Sequence, residues 1–197
     1  MPGIAQRVAQ LVRRMVPRPP IVPMTPAQLA ELTLREATPR DLPRLAALHV
    51  ATFNETHGGP FQSGPSVALR EAQWRKKLGE TDATNFVLVI GNPAGELIGF
   101  VWAHPTSEPG PFAARLNKIY LLRPYQRQGL GRLLMKEVTS RLLANGITSM
   151  MLFTETDNEP ACRFYESLGA QRQLGEDGTF GGMYGWPDLN VLAERLA

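Results

Sequence analysis

Residues 119–134 read IYLLRPYQRQGLGRLL, which is the pattern of a strand, a glycine-bearing turn and the start of a helix. The apolar strand ends at Leu122, and Gly129 and Gly131 lead into an amphipathic helix. Glycine lets the backbone approach a ligand closely, and the first turn of a helix leaves several N–H groups without internal acceptors. These donors lie at the positive end of the helix dipole, so the stretch predicts an anion site that favours a phosphorylated ligand.

Four basic residues surround this turn, namely Arg123, Arg127, Arg132 and Lys136. The sequence has no G-x-x-x-x-G-K-[ST] stretch, which excludes a P-loop. A dinucleotide-binding fingerprint is also missing, because Leu134 stands three residues after Gly131 where a third glycine belongs. The residues alone leave two interpretations open: a phosphate site, or a tight strand-to-helix turn with no ligand.

A second stretch, residues 158–170, reads NEPACRFYESLGA. Together with the Gln126-x-x-Gly129-x-Gly131 pattern, it resembles the two signatures of the GCN5-related N-acetyltransferase (GNAT) family. The second stretch differs from the family pattern at Ala170, where an aromatic residue is more common. One predicted strand separates the two motifs, as in the family. The order of predicted elements extends the resemblance over about residues 32–187.

From Leu32 onward, the hydrophobic patterns predict the element order β-α-α-β-β-β-α-β-α-β-β. The resemblance implies a mixed α/β (α+β) fold, with a mostly antiparallel sheet of six to seven strands, a splayed central strand pair and about four flanking helices. We expect residues 32–197 to be the N-acetyltransferase domain and residues 1–31 to be an N-terminal extension. Within the extension, residues 4–16 predict a short amphipathic helix, and the prolines from Pro17 to Pro26 predict an extended linker.

Composition limits the classes of function. The 197 residues are 43% hydrophobic and 20% charged, as in one globular domain. The net charge of +3 lies within residues 1–31, so the neutral remainder predicts no nucleic-acid binding. The basic extension fits a mobile tail, a helix packed on the body, or a targeting or membrane-surface segment. A single cysteine and scattered histidines predict no metal site, and no apolar run is long enough to span a membrane. We expect a cytoplasmic protein.

The resemblance implies acetyl-CoA as co-substrate and assigns residues to it. The backbone of Leu121 and Leu122 would pair with the pantetheine arm, Gln126 would shape the loop, and Asn158 would also reach the pantetheine arm. The N–H groups of the turn would hold the diphosphate, and the residues concerned are Arg127, Gln128, Gly129, Leu130, Gly131 and Arg132.

The resemblance also places Tyr165 where the family often has the acid that protonates the departing thiolate. A phenol, with a pKa of about 10, can donate a proton to a thiolate whose conjugate pKa is about 8.5. The alternative for Tyr165 is a core aromatic residue. Since a helix aims neighbouring rings in different directions, we expect Phe164 to face the core.

The general base is left open by the sequence. Many relatives carry a glutamate on the strand before the turn, where this chain has Arg115. The substitutes are carboxylates and histidines in predicted loops and strand ends, namely Glu55, His57, His104, Glu155 and Asp157. A water chain is a further alternative.

We therefore expect an enzyme that transfers an acetyl group from acetyl-CoA to a primary amine of a small molecule or peptide, directly within a ternary complex. The alternative is a catalytically weak acyl-CoA-binding domain with a regulatory role, which the missing strand glutamate favours. The resemblance also allows a homodimer. Four aromatic residues either line the acceptor side or belong to ordinary sheet faces, namely Trp102, Phe112, Tyr184 and Trp186.

Overall fold

A computed structural model describes residues 19–57, 64–107 and 110–197, with the side chain of His57 left out. The strands in these residues are β1 (Thr33–Glu36), β2 (Phe86–Gly91), β3 (Leu97–Pro105), β4 (Ala114–Leu121), β5 (Met150–Phe153), β6 (Gln171–Leu174) and β7 (Phe180–Trp186). The helices are α1 (Pro26–Ala30), α2 (Leu42–His57), α3 (Val67–Leu78), α4 (Leu130–Ala144), α5 (Glu159–Ser167) and α6 (Leu189–Leu196). The helix expected over residues 4–16 lies outside the described residues. None of the described helices combines the length and the apolar character that crossing a bilayer requires.

The seven strands form one sheet in the order β1-β2-β3-β4-β5-β7-β6. Strand β5 pairs antiparallel with β7, whereas β4 and β5 run parallel. The register between β4 and β5 contains two residue pairs, Ala114 with Met150 and Arg115 with Met151. Strand β4 then continues to Leu121 without a β5 partner in that register. The expected mixed, mostly antiparallel sheet with a splayed central pair is confirmed.

The described chain divides into two compact units. The first contains the described residues through Glu80 together with Leu88–Phe100 and Tyr120–Gly131. The second contains Thr81–Val87, Val101–Ile119 and Arg132–Ala197. Helices α2 and α3 and the end of β4 therefore belong to the first unit, and helices α4 to α6 belong to the second, apart from the first residues of α4.

The first unit buries an aromatic cluster between its helices and strands. The Trp74 ring meets the Phe100 ring edge to face, with 5.5 Å between the centroids. The Trp74 indole N–H donates to Nδ1 of His49 over 3.1 Å, which satisfies the polar atom of a nearly fully buried ring. Tyr120 closes the cluster, with its centroid 5.5 Å from that of Phe100. Helix α3 is therefore held by packing on the sheet and by a hydrogen bond to α2.

The second unit has its own core around α4 and β7. The apolar residues of α4 recur at helical spacing, and Leu134, Val138 and Leu142 are fully buried. Gly185 of β7 lies under the Phe112 ring, which occupies the position that a Cβ atom would take. A glycine at this position is therefore required for the aromatic ring to lie directly on the strand.

The proline-rich segment was expected to lack regular structure through Pro26, and this expectation is wrong at its end. Pro26 begins α1, because Thr25 forms a capping box with Gln28. Proline suits the first helical position, since its missing N–H would have no acceptor there. Counting α1 and the C-terminal α6, the described residues contain six helices where about four were expected.

An ion pair centred on Asp41 joins β1 to the start of α2. The Asp41 side chain is 1% exposed, and the Arg35 guanidinium donates to both of its oxygens, over 2.7 and 2.8 Å. Thr38 donates to the same carboxylate through its N–H and its hydroxyl group. The Arg35 hydrogen bonds, and then those from Thr38, hold the pKa of Asp41 well below its usual value despite burial.

We expect Asp41→Asn to lower the free energy of unfolding by about 2–4 kcal/mol at pH 7, because Arg35 and Thr38 lose a charged acceptor. The carboxylate with its lowered pKa stabilises the fold above the unfolded-state pKa of about 4 and loses this effect as the pH falls through the folded-state value. The wild type should therefore lose stability below about pH 4 more steeply than the variant. Denaturant unfolding at several pH values measures both quantities, and an unchanged gap between the two proteins at pH 7 and pH 3 would contradict the assignment.

Candidate functional site

Strand β4 lies close to β3 where it ends. The N–H of Leu122 donates to the carbonyl of Ile98 over 2.9 Å. Gly99 stands beside this bond, and a Cβ atom there would overlap the Leu121 side chain and lie 3.1 Å from the Tyr120 carbonyl oxygen. Glycine at position 99 therefore allows the close approach that fixes the end of β4.

A single 3-10 turn, Arg123–Tyr125, follows the strand, and a carboxylate from α2 fixes its start. Oε2 of Glu55 accepts the N–H of Arg123 over 3.0 Å. This N–H is one of those that a helix start leaves without an internal acceptor. Glu55, a candidate base from the sequence, thus has a structural partner at this turn.

The Gln126 side chain connects the turn back to the strand. Its amide nitrogen donates to the carbonyl of Leu121 over 2.9 Å, the kind of contact that a loop-shaping role requires. The carbonyl of Leu122 accepts the N–H of Tyr125, so both backbone polar groups of Leu122 have partners within the protein. Pairing of Leu121 and Leu122 with a pantetheine arm stays a prediction.

The backbone at Arg127 and Gly129 adopts left-handed conformations, with φ of 61° and 84°. Arg127 is the one non-glycine residue with positive φ in the described ranges, and an L-residue pays roughly 1–2 kcal/mol for it. Such strain persists where the surrounding structure enforces it, often at ligand sites. Left-handed residues within a turn direct successive N–H groups toward a common point, which forms a concave anion site.

The N–H groups of this turn are available to a ligand. Among the described residues, no backbone carbonyl in a turn or loop accepts the N–H of any residue from 127 to 131. Helix α4 begins at Leu130, so its first N–H groups lack acceptors within the helix. The positions of Arg127 and Gly129 are exposed, and a Cβ atom at Gly129 would have open space around it. The turn thus has N–H groups without a backbone acceptor in the described residues, and binding of an anion there stays a prediction.

Residues Val22 to Met24 of the N-terminal extension, hereafter the strap, bind to this turn. The N–H of Met24 donates to Oε1 of Gln128 over 2.7 Å, and Nε2 of Gln128 donates to the carbonyl of Val22 over 2.9 Å. The N–H of Val22 donates to the carbonyl of Pro124 over 3.3 Å. The Gln128 side chain therefore joins the strap to the turn, a role that the sequence did not predict.

The basic side chains near the turn are not all directed to solvent. The Arg132 guanidinium donates to the carbonyl of Arg195 at the C-terminal end of α6. Nε of Arg123 is buried without a hydrogen-bond partner among the described residues. Arg127 and Lys136 are exposed, so both can contribute charge near the turn.

The second unit holds the other motif residues on α5. Asn158 caps the helix, with Oδ1 accepting the N–H of Ala161 over 3.4 Å. Tyr165 is 7% exposed, and its ring centroid lies 6.0 Å from that of Tyr184. Phe164 is half-buried, so the expectation that Phe164 is the ring facing the core is wrong. Tyr165 faces inward because it shares the buried face of α5 with Cys162, three residues before it.

Tyr184 is a core phenol whose hydroxyl group already donates a hydrogen bond within the protein. Its hydroxyl donates to Oε1 of Glu166 over 2.7 Å, and Nη2 of Arg172 lies 2.6 Å from the same oxygen. Burial, and then the hydrogen bond to Glu166, raise the pKa of Tyr184. The same hydrogen bond, with that from Arg172, lowers the pKa of Glu166.

Of the other three aromatic residues considered for the acceptor side, two are buried and one is half-buried. Phe112 and Trp186 are buried, with 7% and 2% of their surfaces exposed, and the Trp186 indole donates to the carbonyl of Leu168. Trp102 is half-buried and donates to Oδ1 of Asn85. Three of the four aromatic residues, Tyr184 included, therefore belong to the core.

A cavity of about 210 Å³ opens beside α5, lined by Thr156, Glu159, Cys162, Arg163, Glu166, Arg172 and Phe180. Its charged side chains are paired with one another. Arg163 binds Glu159 over 3.0 Å, and Arg172 binds Glu166. The thiol of Cys162 donates to the carbonyl of Glu155 over 3.8 Å. The charges that line this cavity are thus already compensated within the protein.

The structure does not single out one of the candidate general bases. His104 has Nδ1 2.7 Å from the carbonyl of Pro105 and Nε2 3.3 Å from the Asn117 amide, which fits a neutral ring protonated at Nδ1. Glu155 and Asp157 are exposed between β5 and α5, and the side chain of His57 lies outside the described atoms. Arg115, at the position of the missing glutamate, lies over the Phe153 ring at 5.0 Å. No cluster of three or more potential metal ligands occurs in the described part of the chain.

Comparison with known proteins gives this geometry its context. A sequence model described as the acetyltransferase (GNAT) family matches residues 34–170. An uncharacterised N-acetyltransferase, YuaI of Bacillus subtilis, is 29% identical over 176 residues, which cover 84% of this chain and 98% of YuaI. The mycothiol acetyltransferase of Salinispora tropica is 30% identical over 166 residues, covering 79% of this chain and 50% of that protein. This chain thus spans about half the length of that relative.

Solved structures agree on the fold. The PaiA N-acetyltransferase of Thermoplasma acidophilum, in complex with coenzyme A, superimposes with a TM-score of 0.64 at 17% identity. The match covers 78% of this chain and 97% of PaiA. The family model over residues 34–170 and the acetyltransferase relatives, together with this fold, support an acetyl-transferring enzyme. The chain belongs to the acetyltransferase (GNAT) family.

We expect Gly129→Glu to weaken binding of coenzyme A by at least about 100-fold, because a carboxylate in the turn would repel a diphosphate at a cost of several kcal/mol. The strain of a non-glycine residue at φ 84° should cost about 1–2 kcal/mol of stability. Isothermal titration calorimetry with coenzyme A measures the first effect, and thermal unfolding measures the second.

Gly146→Glu is the matched control, because Gly146 also has a positive φ, of 75°, and open space around its Cβ position. It should lose similar stability and bind coenzyme A normally. Equal affinities of the two variants would mean that the turn does not hold the ligand.

The hydrogen bonds between Gln128 and the strap lead to a second prediction. Gln128→Ala removes the acceptor of the Met24 N–H, so the exchange of this amide with solvent should accelerate about fivefold, as loss of a bond worth about 1 kcal/mol implies. Hydrogen exchange followed by NMR measures the rate. Gln126→Ala is the control, since Gln126 bonds to Leu121 and not to the strap. If Met24 exchanges at the wild-type rate in Gln128→Ala, the strap is not held by this side chain.

Proposed function

We propose that this enzyme transfers the acetyl group of acetyl-CoA to a primary amine of a small molecule or peptide, directly, while both substrates are bound. The observation that carries the proposal is the set of available N–H donors at residues 127–131, at the positive end of α4. Donors of this kind fit a diphosphate, which coenzyme A carries. The CoA complex of the structurally similar PaiA supports the same donor.

The residues of the chain take distinct roles in the proposal. The N–H groups from Arg127 to Arg132 hold the diphosphate, and the exposed Arg127 side chain adds charge to it. Gln126 and Glu55 keep the turn in shape from either end. The end of β4 at Leu121 and Leu122, together with Asn158, receives the pantetheine arm. The end of the β4–β5 register at Arg115, before β4 itself ends, supports this role.

In the proposed transfer, the amine nitrogen forms a bond to the acetyl carbon as the carbon–sulfur bond breaks. The sulfur leaves with the bonding electron pair and takes the proton of the Tyr165 hydroxyl group. The amine nitrogen gives up one proton to water or to a nearby carboxylate, with Glu155 and Asp157 as the exposed candidates. Holding both reactants in attack geometry supplies a large part of the rate enhancement.

An assay of CoA release tests the proposal. Purified protein is incubated with acetyl-CoA and a panel of amines, including amino acids, polyamines, amino sugars and peptides, and the free thiol is measured. Amine-dependent release is the expected result. Tight binding of acetyl-CoA without turnover on any amine would instead favour the regulatory domain suggested by Arg115 at the position of the missing glutamate, and it would overturn the proposal.

Tyr165→Phe should lower kcat by roughly 100-fold while leaving the Kd for acetyl-CoA within about twofold, because the variant loses the proton donor and keeps the ring. Steady-state kinetics and calorimetry measure the two constants.

Tyr184→Phe is the control, since it removes a neighbouring buried hydroxyl group that is committed to Glu166. It should lower the melting temperature and leave kcat nearly unchanged. If both variants lose kcat equally, the effect reflects the packing of α5 against β7, and Tyr165 has no role as an acid.

A further inference from the structure

Arg70 is a cation whose charge has no acidic partner among the residues that the structure describes. It lies on α3, where Nη1 donates to Oε1 of Gln73 over 2.8 Å. The guanidinium carbon lies 5.5 Å from the centroid of the Phe53 ring on α2. Nε is buried and has no hydrogen-bond partner, and within the described residues no carboxylate pairs with this side chain. The sequence analysis did not single out this residue.

Some other arginines have an acidic partner: the exposed Arg35 binds Asp41, and the half-buried Arg141 binds Glu137 over 2.8 Å. Arg123 is half-buried and, like Arg70, has a buried Nε without a hydrogen-bond partner in the described part of the chain. Burial lowers the pKa of Arg70, although a guanidinium stays charged at neutral pH. A partly desolvated charge without an opposite charge beside it costs free energy. Where a folded protein retains such a group, its presence requires an explanation.

The surroundings of Arg70 are aromatic and lie at the end of strand β4. Tyr120, the residue before Leu121, lies close enough to Arg70 to interact with its charge. The Tyr120 ring also packs on Phe100 within the aromatic cluster of the first unit. Trp74, one turn after Arg70 on α3, packs on Phe100, which packs on Tyr120. Arg70 therefore lies on the side of the first unit where β4 ends, the strand end that the proposed function assigns to the acyl arm of the donor.

We propose that Arg70 binds a carboxylate of the acceptor, so that the substrate class is a primary amine with a carboxylate close to it, as in an amino acid. The inference rests on the proposed function and adds the acceptor's chemistry to it. A guanidinium forms two parallel hydrogen bonds to a carboxylate. The hydrogen bond to Gln73 and the contact with the Phe53 ring restrict the guanidinium, so less conformational freedom is lost when the acceptor binds.

The test compares matched acceptors. For each amino acid that the enzyme acetylates, kcat/KM is measured for the free acid, its carboxamide and the amine that lacks the carboxyl group. We expect the wild type to favour the acid by about 10- to 100-fold and Arg70→Gln to lose this preference by lowering kcat/KM for the acid alone. Arg70→Lys, which keeps the charge without the planar group, should retain part of the preference.

Arg75→Gln is the control, because Arg75 is an exposed arginine of the same helix and should keep the wild-type preference. A uniform loss of activity on acids and carboxamides in Arg70→Gln would indicate a structural role and overturn the inference. Equal wild-type rates on acids and carboxamides would also overturn it and leave the acetyltransferase activity standing. Failure of the proposed function itself appears separately, as absent turnover on every amine.

Discussion

The backbone turn at residues 127–129 presents free N–H groups because side chains from elsewhere hold it in that conformation. Arg127 adopts a left-handed conformation that an arginine avoids in isolation, and a linear peptide of this sequence would relax from it. Gln126 bonds to the end of β4, Gln128 bonds to the strap, and Glu55 accepts an N–H group at the start of the turn. The turn is therefore held in this conformation by the protein itself. If it binds the diphosphate as proposed, binding loses less conformational entropy.

The splayed strand pair is the second feature that the proposed function requires. It arises because the pairing of β4 with β5 stops after two residue pairs. Strands β4 and β5 share two residue pairs, after which β4 continues to Leu121. An unpaired strand edge inside a sheet is unfavourable unless another extended chain completes it, because its N–H and carbonyl groups stay unsatisfied. The pantetheine arm carries two amide groups and can complete such an edge. The proposed function assigns this edge to the pantetheine arm, and the glycine at position 99 allows β4 to lie close to β3 on its other side.

Most of the fold was predictable because its signals are local. Alternating apolar residues and glycine turns predicted the strands in order, and the two motifs predicted the splayed pair. The misses depend on contacts between residues distant in sequence. Pro26 starts a helix because Thr25 and Gln28 cap each other, and Gln128 binds a strap that lies more than one hundred residues away. Periodicity could not decide which ring of α5 faces inward, because Phe164 and Tyr165 are adjacent and only packing against β7 separates them.

The sequence analysis did not single out Arg70, because the partners of each charge are visible only in the structure. In the sequence it is one of several basic residues on an amphipathic helix, a pattern typical of a solvated face. The arginines that line the cavity beside α5 each bind a glutamate, so their charge is satisfied within the protein. Arg70 instead donates a hydrogen bond to the neutral amide of Gln73 and lies over the Phe53 ring. Neither contact compensates a positive charge as a carboxylate does, which is the basis for proposing that the acceptor supplies the anion.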